Sequence, residues 1–138
     1  MNQEEFKQKI KDIVDSNPIG TLSTVSQNKP NARYMYFQRD DITLLTATSK
    51  QTHKVDEIEE NPNVHVLLGY TDWDSPYIEM QGTIRVREKE VIKEEFWQDM
   101  MKHWFTGPDD PDLIILEIQP ASFRLMNSKE KEPVTLDM

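Results

Sequence analysis

Hydrophobic positions near the N-terminus recur every three to four residues. Phe6, Ile10, Ile13 and Val14 stand among charged and polar residues, a spacing that places them on one face of an α-helix. The helix is expected to end before Pro18, because proline disfavours the helical conformation in the residue that precedes it. The sequence therefore predicts an amphipathic first helix that packs one face against a core.

From residue 19 onward the pattern changes to short runs that are rich in β-branched and aromatic residues and separated by turn residues. Runs of this kind predict β-strands. The strands are predicted at residues 19–25, 32–37, 42–47, 64–70, 77–87, 113–118 and 121–126. The first three form a meander with turns at 27–30 and 39–41. Gly82 marks a bulge or a close backbone approach in the fifth strand.

Two further segments have the composition or the spacing of helices. Residues 54–61 carry Val55 and Ile58 as a small apolar stripe. Residues 91–105 predict a second substantial helix, whose apolar stripe is wider than a small sheet needs and indicates a partner. The members of this stripe are Ile92, Phe96, Trp97, Met100, Met101, Trp104 and Phe105.

The whole pattern fits one domain. With 138 residues, the chain is long enough for a single core but not for two independent ones. The predicted strands are too many for an open hairpin, and the helices are too few for a parallel doubly wound fold. We therefore predict a mainly β, α+β domain over residues 1–138, a small antiparallel barrel with flanking helices. The polar segment 127–138 is expected to be loose or docked on a neighbour.

Charge and composition narrow the classes of partner. The formal net charge of −9 repels polyanions and no basic face compensates it, so nucleic-acid binding is not expected. No run approaches the ~20 apolar residues needed to span a membrane, and the charged N-terminus lacks the apolar core of a signal peptide. With no cysteine, these features favour a cytoplasmic protein. Scattered histidines, and an acidic turn at 106–112 that is interpreted as solvated, argue against a metal site.

A loop rich in hydroxyls and cations leads from the third strand into the short helix. Ser49, Lys50, Thr52 and Lys54 lie in this loop, where unpaired backbone N–H groups and the helix dipole already favour an anion. Arg33 lies on a strand that the meander places beside the loop, so its guanidinium could clamp a phosphate with two hydrogen bonds. The residue types alone leave two interpretations open: a phosphate site, or turn and capping residues with solubilising lysines.

The order and spacing of several weak motifs resemble a known family. The motifs are residues 30–37, Thr48, Ser49, Lys54, Ile58, Asn61 and Pro62. Their arrangement resembles the pyridoxamine 5'-phosphate oxidase-related FMN-binding split barrels, and within them the general stress protein 26-like subgroup. The resemblance runs from the first helix to the strand that ends near residue 126. It implies an antiparallel split β-barrel of six or seven strands that binds FMN.

The resemblance assigns most of the cofactor contacts to the second and third strands. The matching residues are Arg33, Tyr34, Met35, Tyr36, Ala47 and Thr48. In the family, the arginine contacts the FMN phosphate, and the backbone of the three residues after it runs along the flavin. The last two positions support the ribityl chain and the ring. The resemblance therefore implies that the phosphate lies beside Arg33.

Further contacts are implied for the loop after the third strand. Ser49 and Thr52 take cofactor-binding positions, and Lys54 matches a phosphate-binding lysine. His53 stands where the oxidases proper carry arginine, and because histidine is mostly neutral near neutral pH, the expected attraction for phosphate is weaker. Trp104 resembles a tryptophan that helps to form the pocket at a dimer interface, although packing in the core explains this residue equally well.

The resemblance implies a homodimeric flavoprotein with the cofactor at the interface, in which FMN oxidises or reduces an unknown small molecule. Relatives are linked to stress responses, and no catalytic residue is assigned. Pyridoxamine phosphate oxidase activity itself is not expected, since the sequence lacks the C-terminal basic segment that holds the substrate phosphate in those longer enzymes. Two alternatives remain: a non-catalytic module that binds or senses flavin or haem, and a dimer whose barrel mediates protein contacts.

Overall fold

A computed structural model gives the structure of the chain at residues 1–51, 55–129 and 134–138. Its helices are α1 (Gln3–Ser16), α2 (Val55–Glu60) and α3 (Glu90–Glu95), followed by a short 3₁₀ helix (Asp99–His103). Its strands are β1 (Ile19–Ser26), β2 (Lys29–Asp40), β3 (Thr43–Ser49), β4 (Asn63–Gly69), β5 (Tyr77–Arg87), β6 (Leu113–Met126) and β7 (Val134–Asp137). Within these residues, no helix has the length and apolar character needed to cross a membrane.

The strands form a closed antiparallel barrel of six strands, to which a seventh strand is added. Neighbouring strands follow the order β3-β2-β1-β4-β5-β6-β7, and the pairing of β3 with β6 closes the barrel. In that pairing, Leu44 lies opposite Ile118 and Ser49 lies opposite Leu113. The predicted fold class, a mainly β antiparallel barrel with flanking helices, is confirmed.

Helix α1 covers the barrel with the apolar face that the sequence predicts. The side chain of Asn2 caps the helix by accepting a hydrogen bond from the backbone N–H of Glu5 at 2.8 Å. The helix ends at Ser16, as expected from Pro18. Its buried face packs into one core with inward side chains from every strand of the sheet. The helix contributes Phe6, Ile10, Ile13 and Val14 to this core.

The first hairpin is tighter than predicted. Gln27 and Asn28 have φ angles of 53° and 61°, the left-handed values that a two-residue type I′ turn requires at both central positions. This turn lets β1 continue to Ser26 and β2 begin at Lys29. The four-residue turn predicted at 27–30 is therefore wrong, because strand pairing extends up to the two residues that make the turn.

A bulge in β6, where Ala121 has no partner on β5, lies within one long strand. The pairing of the two strands shifts between Gln81 and Gly82, and a Cβ atom at position 82 would lie 2.4 Å from the carbonyl oxygen of Gln119. Only glycine tolerates so close an approach of the backbones. The close backbone approach predicted at Gly82 is confirmed, and the two strands predicted on either side of residues 119–120 are one.

The continuous helix predicted over residues 91–105 is wrong. The segment divides into α3 and the 3₁₀ helix, and Gln98 between them is extended, with φ −124° and ψ 142°. At the end of α3, the carbonyl oxygen of Phe96 accepts a hydrogen bond from Gln38 Nε2 at 2.8 Å. A side chain from β2 thus satisfies a carbonyl that another helical turn would have paired.

A second, smaller core buries Leu113 on the outside of β6. Ile114 faces the main core, whereas its neighbour Leu113 faces outward, because successive side chains of a strand point to opposite faces. Leu113 packs there with Met101 and Phe105. The break after α3 brings these two residues onto the outside of β6, so part of the wide apolar stripe covers the barrel wall.

Residues 134–137 are not loose, although a loose segment was predicted over residues 127–138. These residues form β7, which pairs with Ser122 to Leu125 of β6. That part of β6 has a free edge, because β3 pairs only with residues 113–118. Leu136 lies opposite Phe123 and is buried in the main core. An apolar residue in a polar segment therefore attaches the chain end to the barrel.

A carboxylate between two arginines links β5 to β6 on the outside of the barrel. Glu117 accepts hydrogen bonds from Arg85 and, at 2.9 Å, from Arg87. Burial raises the pKa of Glu117, but the hydrogen bonds and charges of both arginines outweigh burial, so its pKa lies below the ordinary value of 4.5. The ionised carboxylate therefore contributes stability above that value, and the contribution is lost as the pH falls through the lowered pKa.

We expect Glu117→Gln to be less stable than the wild-type chain at about pH 7 and to lose this disadvantage progressively as the pH falls below 4.5 and through the lowered pKa of Glu117. Glutamine keeps the size of the side chain but carries no charge, so the comparison isolates the ionised carboxylate. Urea unfolding of both proteins across this pH range gives the two free energies of unfolding. A difference between them that stays constant with pH would contradict the expectation.

Candidate functional site

A cleft of about 520 Å³ opens beside the barrel where β2 and β3 separate. The two strands pair only between Phe37 and Asp40 of β2, whereas β2 continues to pair with β1 back to Lys29. The gap left on the β3 side is covered by the segment that contains the 3₁₀ helix. The cleft is therefore bounded by β2, β3 and residues 100–105.

Most of the predicted cofactor contacts in the described part of the chain meet in this cleft. They come from three places: consecutive residues of β2, the last residues of β3, and the end of the 3₁₀ helix. The residues are Tyr34, Met35, Tyr36, Ala47, Thr48, Ser49 and Trp104. Three further predicted residues, Thr52, His53 and Lys54, lie outside the described residues.

Aromatic side chains form the rim of the cleft. Tyr34 is 79% exposed and Trp104 is 68% exposed, so core packing does not explain the tryptophan. The ring of His103 meets that of Trp104 edge to face at 5.7 Å. Large aromatic groups left open to solvent beside a cleft are typical of a surface that covers a ligand or a partner.

The floor of the cleft is apolar. Ala47 packs against the small core of Met101, Phe105 and Leu113. Ala47, Met101 and Phe105 line the cleft. The sequence did not identify Ile19, Met100, Met101 or Phe105 as site residues, although the last three belong to the wide stripe that it noted. A cleft of this size with an apolar floor and few polar groups suits a planar organic ligand.

Arg33 lies one residue before the part of β2 that lines the cleft. Because it pairs with Leu22 and antiparallel partners share a face of the sheet, its side chain is on the inward face. Nη2 donates a hydrogen bond to Thr24 Oγ1 at 3.2 Å. Nη1 is buried and has no hydrogen-bond partner among the residues described. A buried guanidinium nitrogen without an acceptor costs free energy, so Nη1 is available to an anionic ligand.

The turn that follows β3 is tied to the acidic loop at residues 106–112. Ser49 Oγ donates a hydrogen bond to Asp112 Oδ2 at 2.6 Å and accepts one from the backbone N–H of Gln51 at 3.1 Å. The backbone N–H of Lys50 donates to the carbonyl oxygen of Asp112 at 2.9 Å. In this geometry the Ser49 proton goes to a carboxylate, so its contact with phosphate stays a prediction.

The lysine in this turn is engaged elsewhere. Lys50 Nζ forms an ion pair with Glu88 Oε1 at 3.2 Å, and both side chains are about half exposed. An exposed pair of this kind contributes little to stability. Lys50 therefore lies in the turn, but its ammonium group contacts the segment between β5 and α3.

The acidic loop is a turn with exposed and half-exposed aspartates, as predicted, but one of its carboxylates also bonds its backbone. The backbone N–H groups of Thr106 and Asp112 both donate to the Asp110 carboxylate at 2.9 Å, and these two hydrogen bonds hold the pKa of Asp110 below its usual range. Lys93, which is 5% exposed, donates from Nζ to the carbonyl oxygen of Asp110 at 2.9 Å. The Asp-x-Asp spacing after Gly107-Pro108 was the available signal, because aspartates often bond the backbone two residues on.

Known proteins resemble the chain over nearly its whole length. The model of the Pyridoxamine 5'-phosphate oxidase family matches residues 6–127. The chain is 46% identical to General stress protein 26 of Bacillus subtilis (strain 168) over 140 residues, which cover 100% of both chains. The crystal structure of the General Stress Protein 26 from Bacillus anthracis str. Sterne has a TM-score of 0.86 at 36% identity, covering 97% of this chain and 99% of that one.

Two more distant structures share the fold. A pyridoxamine 5'-phosphate oxidase-related, FMN binding protein from Nostoc punctiforme PCC 73102 has a TM-score of 0.70 at 13% identity, covering 100% of this chain and 99% of that one. A heme binding protein from Mycobacterium smegmatis has a TM-score of 0.75 at 12% identity, covering 95% and 57%. Identities this low show the fold alone. On the family match and the full-length identity together, the chain belongs to the pyridoxamine 5'-phosphate oxidase family and is similar throughout to general stress protein 26.

Proposed function

We propose that the chain is a cytoplasmic FMN-binding flavoprotein and an oxidoreductase that acts on a small molecule. The observation that carries the proposal is the buried Nη1 of Arg33, which lacks a partner among the described residues. Arg33 directly precedes Tyr34, Met35 and Tyr36, the residues of β2 that line the apolar cleft. A phosphate oxygen would supply the missing acceptor with a charge-assisted hydrogen bond. Family membership and the distant relative described as FMN binding support FMN as the ligand.

The residues of the cleft fit the two ends of FMN differently. The apolar floor around Ala47 and Phe105 and the aromatic rim of Tyr34 and Trp104 suit the flavin ring, and Arg33 would fix the phosphate. Bound FMN would supply the hydride or electron transfer. The chain would orient the ring by anchoring the phosphate and would exclude water from the face that rests on the floor.

We further propose that a second copy of the chain covers the exposed side of the cleft. Tyr34, Thr21 and Leu67 lie in one row across β2, β1 and β4, because Thr21 pairs with both of the other residues. Tyr34, Leu67 and the neighbouring Ile19 are exposed apolar or aromatic side chains, and Ile19 is 63% exposed. A contiguous apolar face of this kind typically marks a protein interface. A homodimer would bury this face and enclose the ligand.

A flavin titration followed by sedimentation tests both statements. We expect the protein to bind FMN more tightly than riboflavin, because only FMN carries the phosphate that Arg33 would contact. Flavin fluorescence gives the two affinities, and sedimentation velocity recorded at the visible absorption of the flavin gives the mass of the complex. We expect the mass of two chains. Failure to bind added FMN would refute the proposed function, and a complex with the mass of one chain would refute the dimer.

The same preparation separates an enzyme from a binding module. An oxidoreductase is expected to lose its visible flavin absorption when a nicotinamide donor is added and to recover it when a suitable acceptor follows. A module that only stores or senses a ligand would keep its spectrum under these conditions. Preferential binding of haem over FMN would instead support the alternative suggested by the distant heme binding protein.

A further inference from the structure

Methionine is concentrated at the cleft. Of the chain's 7 methionines, Met35, Met100 and Met101 are among the residues that line it. A thioether is flexible and polarisable and packs well against aromatic rings, so it suits a wall that receives a planar ligand. The chain has no cysteine, so methionine carries all of its sulfur. Much of the oxidisable sulfur of the protein therefore lies where the ligand would bind.

The three methionines of the cleft differ in their access to solvent. Met101 is 4% exposed and belongs to the small core. Met35 is half-buried and packs against the main core. Met100, in the 3₁₀ helix, is 37% exposed in the single chain. Because a dissolved oxidant reacts first with accessible sulfur, Met100 is the cleft methionine that it should reach most readily.

We propose that Met100 is a site of reversible oxidation by hydrogen peroxide and that its oxidation lowers the affinity of the cleft for its ligand. The thioether sulfur attacks one peroxide oxygen, so that an S–O bond forms while the O–O bond breaks. The departing hydroxide takes the proton of the transferred hydroxyl group and leaves as water. Sulfur is thereby oxidised to the sulfoxide, which methionine sulfoxide reductases convert back. The inference rests on the proposed binding of FMN.

The sulfoxide would place a polar oxygen in the wall that the ligand covers. Ala47 and Phe105 make the neighbouring floor apolar, and the hydroxyl proton of Ser49, which also lines the cleft, already goes to Asp112. In the empty cleft the sulfoxide oxygen is hydrated, whereas a bound ligand displaces that water. Since covering a polar group without a hydrogen bond costs free energy, we expect FMN affinity to fall at least about fivefold.

Peroxide treatment of the full-length, ligand-free protein tests the site itself. Peptide mass spectrometry follows the addition of one oxygen to each methionine. Met100 should be oxidised much faster than Met101 and the fully buried Met80, and Met138, which is 54% exposed at the chain end, serves as the accessible standard. Added FMN should slow the oxidation of Met100 but not that of Met138. Oxidation of Met100 as slow as that of Met80 would overturn the proposal.

Flavin titration after removal of the peroxide tests the consequence. Each protein is compared with its own untreated sample, so that a change in affinity caused by a substitution alone does not enter. The wild-type chain should lose FMN affinity and regain it after incubation with methionine sulfoxide reductases. Met100→Leu, which keeps an apolar side chain of similar volume but forms no sulfoxide, should lose little. The matched control Met138→Leu should lose as much as the wild-type chain.

Two results of the titration would overturn the proposal: an FMN affinity of the wild-type chain that oxidation of Met100 leaves unchanged, or equal losses in the wild-type chain and Met100→Leu. Failure of the untreated wild-type chain to bind FMN would instead refute the proposed function, and with it this inference. The untreated sample therefore distinguishes the two failures.

Discussion

Replacement of Arg33 by methionine is expected to weaken FMN binding by about 3 kcal/mol, or more than about 100-fold, without destabilising the ligand-free protein. Methionine keeps the apolar part of the side chain but removes the charge that would bind the phosphate, and charge-assisted hydrogen bonds contribute ~1.5–3 kcal/mol each. Among the described residues, the ligand-free protein loses the hydrogen bond to Thr24, and it no longer buries Nη1 without a partner. Its free energy of unfolding should therefore be equal or higher.

Arg39 provides the matched control for this experiment. It lies on the same strand, but its guanidinium is fully engaged with Asp15 through hydrogen bonds of 2.8 and 2.7 Å. Arg39→Met should leave FMN affinity unchanged and lower the stability slightly, because the pair is partly exposed to solvent. Flavin titration and urea unfolding of both variants measure the two effects. If Arg33→Met retained FMN affinity and lost stability, Arg33 would be a structural residue and the phosphate site would lie elsewhere.

Truncation of Phe123 to alanine is expected to cost about 3–5 kcal/mol of folding free energy, the usual range for a buried phenylalanine. Phe123 has no exposed surface, and it lies opposite Met80 of β5 and Leu136 of β7. Since small domains are stable by only ~5–15 kcal/mol, the variant should be partly unfolded on mild heating. Denaturant unfolding of Phe123→Ala and of Phe123→Leu, which fills most of the space, measures the effect.

The leucine variant should lose much less stability than the alanine variant. Equal losses in the two variants would mean that the aromatic ring itself, not the filled volume, is required at this position. A negligible loss in both would show that the surrounding core collapses around the smaller side chain, contrary to the close packing expected of such interiors.

Local sequence patterns were sufficient for most of the fold. The apolar spacing of α1 and the position of Pro18 depend on neighbours within a few residues, and Gly82 was identified because a glycine inside a strand pattern marks a bulge or a close backbone approach. The break at Gln98 could not be predicted, because it depends on a hydrogen bond from Gln38 to a distant carbonyl. The pairing of β7 depends likewise on a free edge of β6 that exists only in the folded barrel.

The candidate site also combines features that the sequence predicted with features that depend on the folded chain. The strands that carry Tyr34 and Ala47 were predicted to be neighbours in a meander, and the family resemblance assigned both residues to one cofactor site. The partner of Ser49 did not follow, because Asp112 is 63 positions away in the sequence. The unpaired Nη1 of Arg33 is also a property of the folded chain, since it depends on what surrounds the side chain.

The closure of the barrel also sets an order of events during folding. The hairpin of β1 and β2 joins residues that are close in the sequence, whereas β3 and β6 pair residues such as Leu44 and Ile118. Contacts between distant segments form slowly, because the entropy of closing the long loop is lost before the contacts compensate for it. Ser49, which lines the cleft, lies opposite Leu113 at the end of this same pairing. A chain still being synthesised therefore lacks the complete cleft until its last long strand has been added and has closed the barrel.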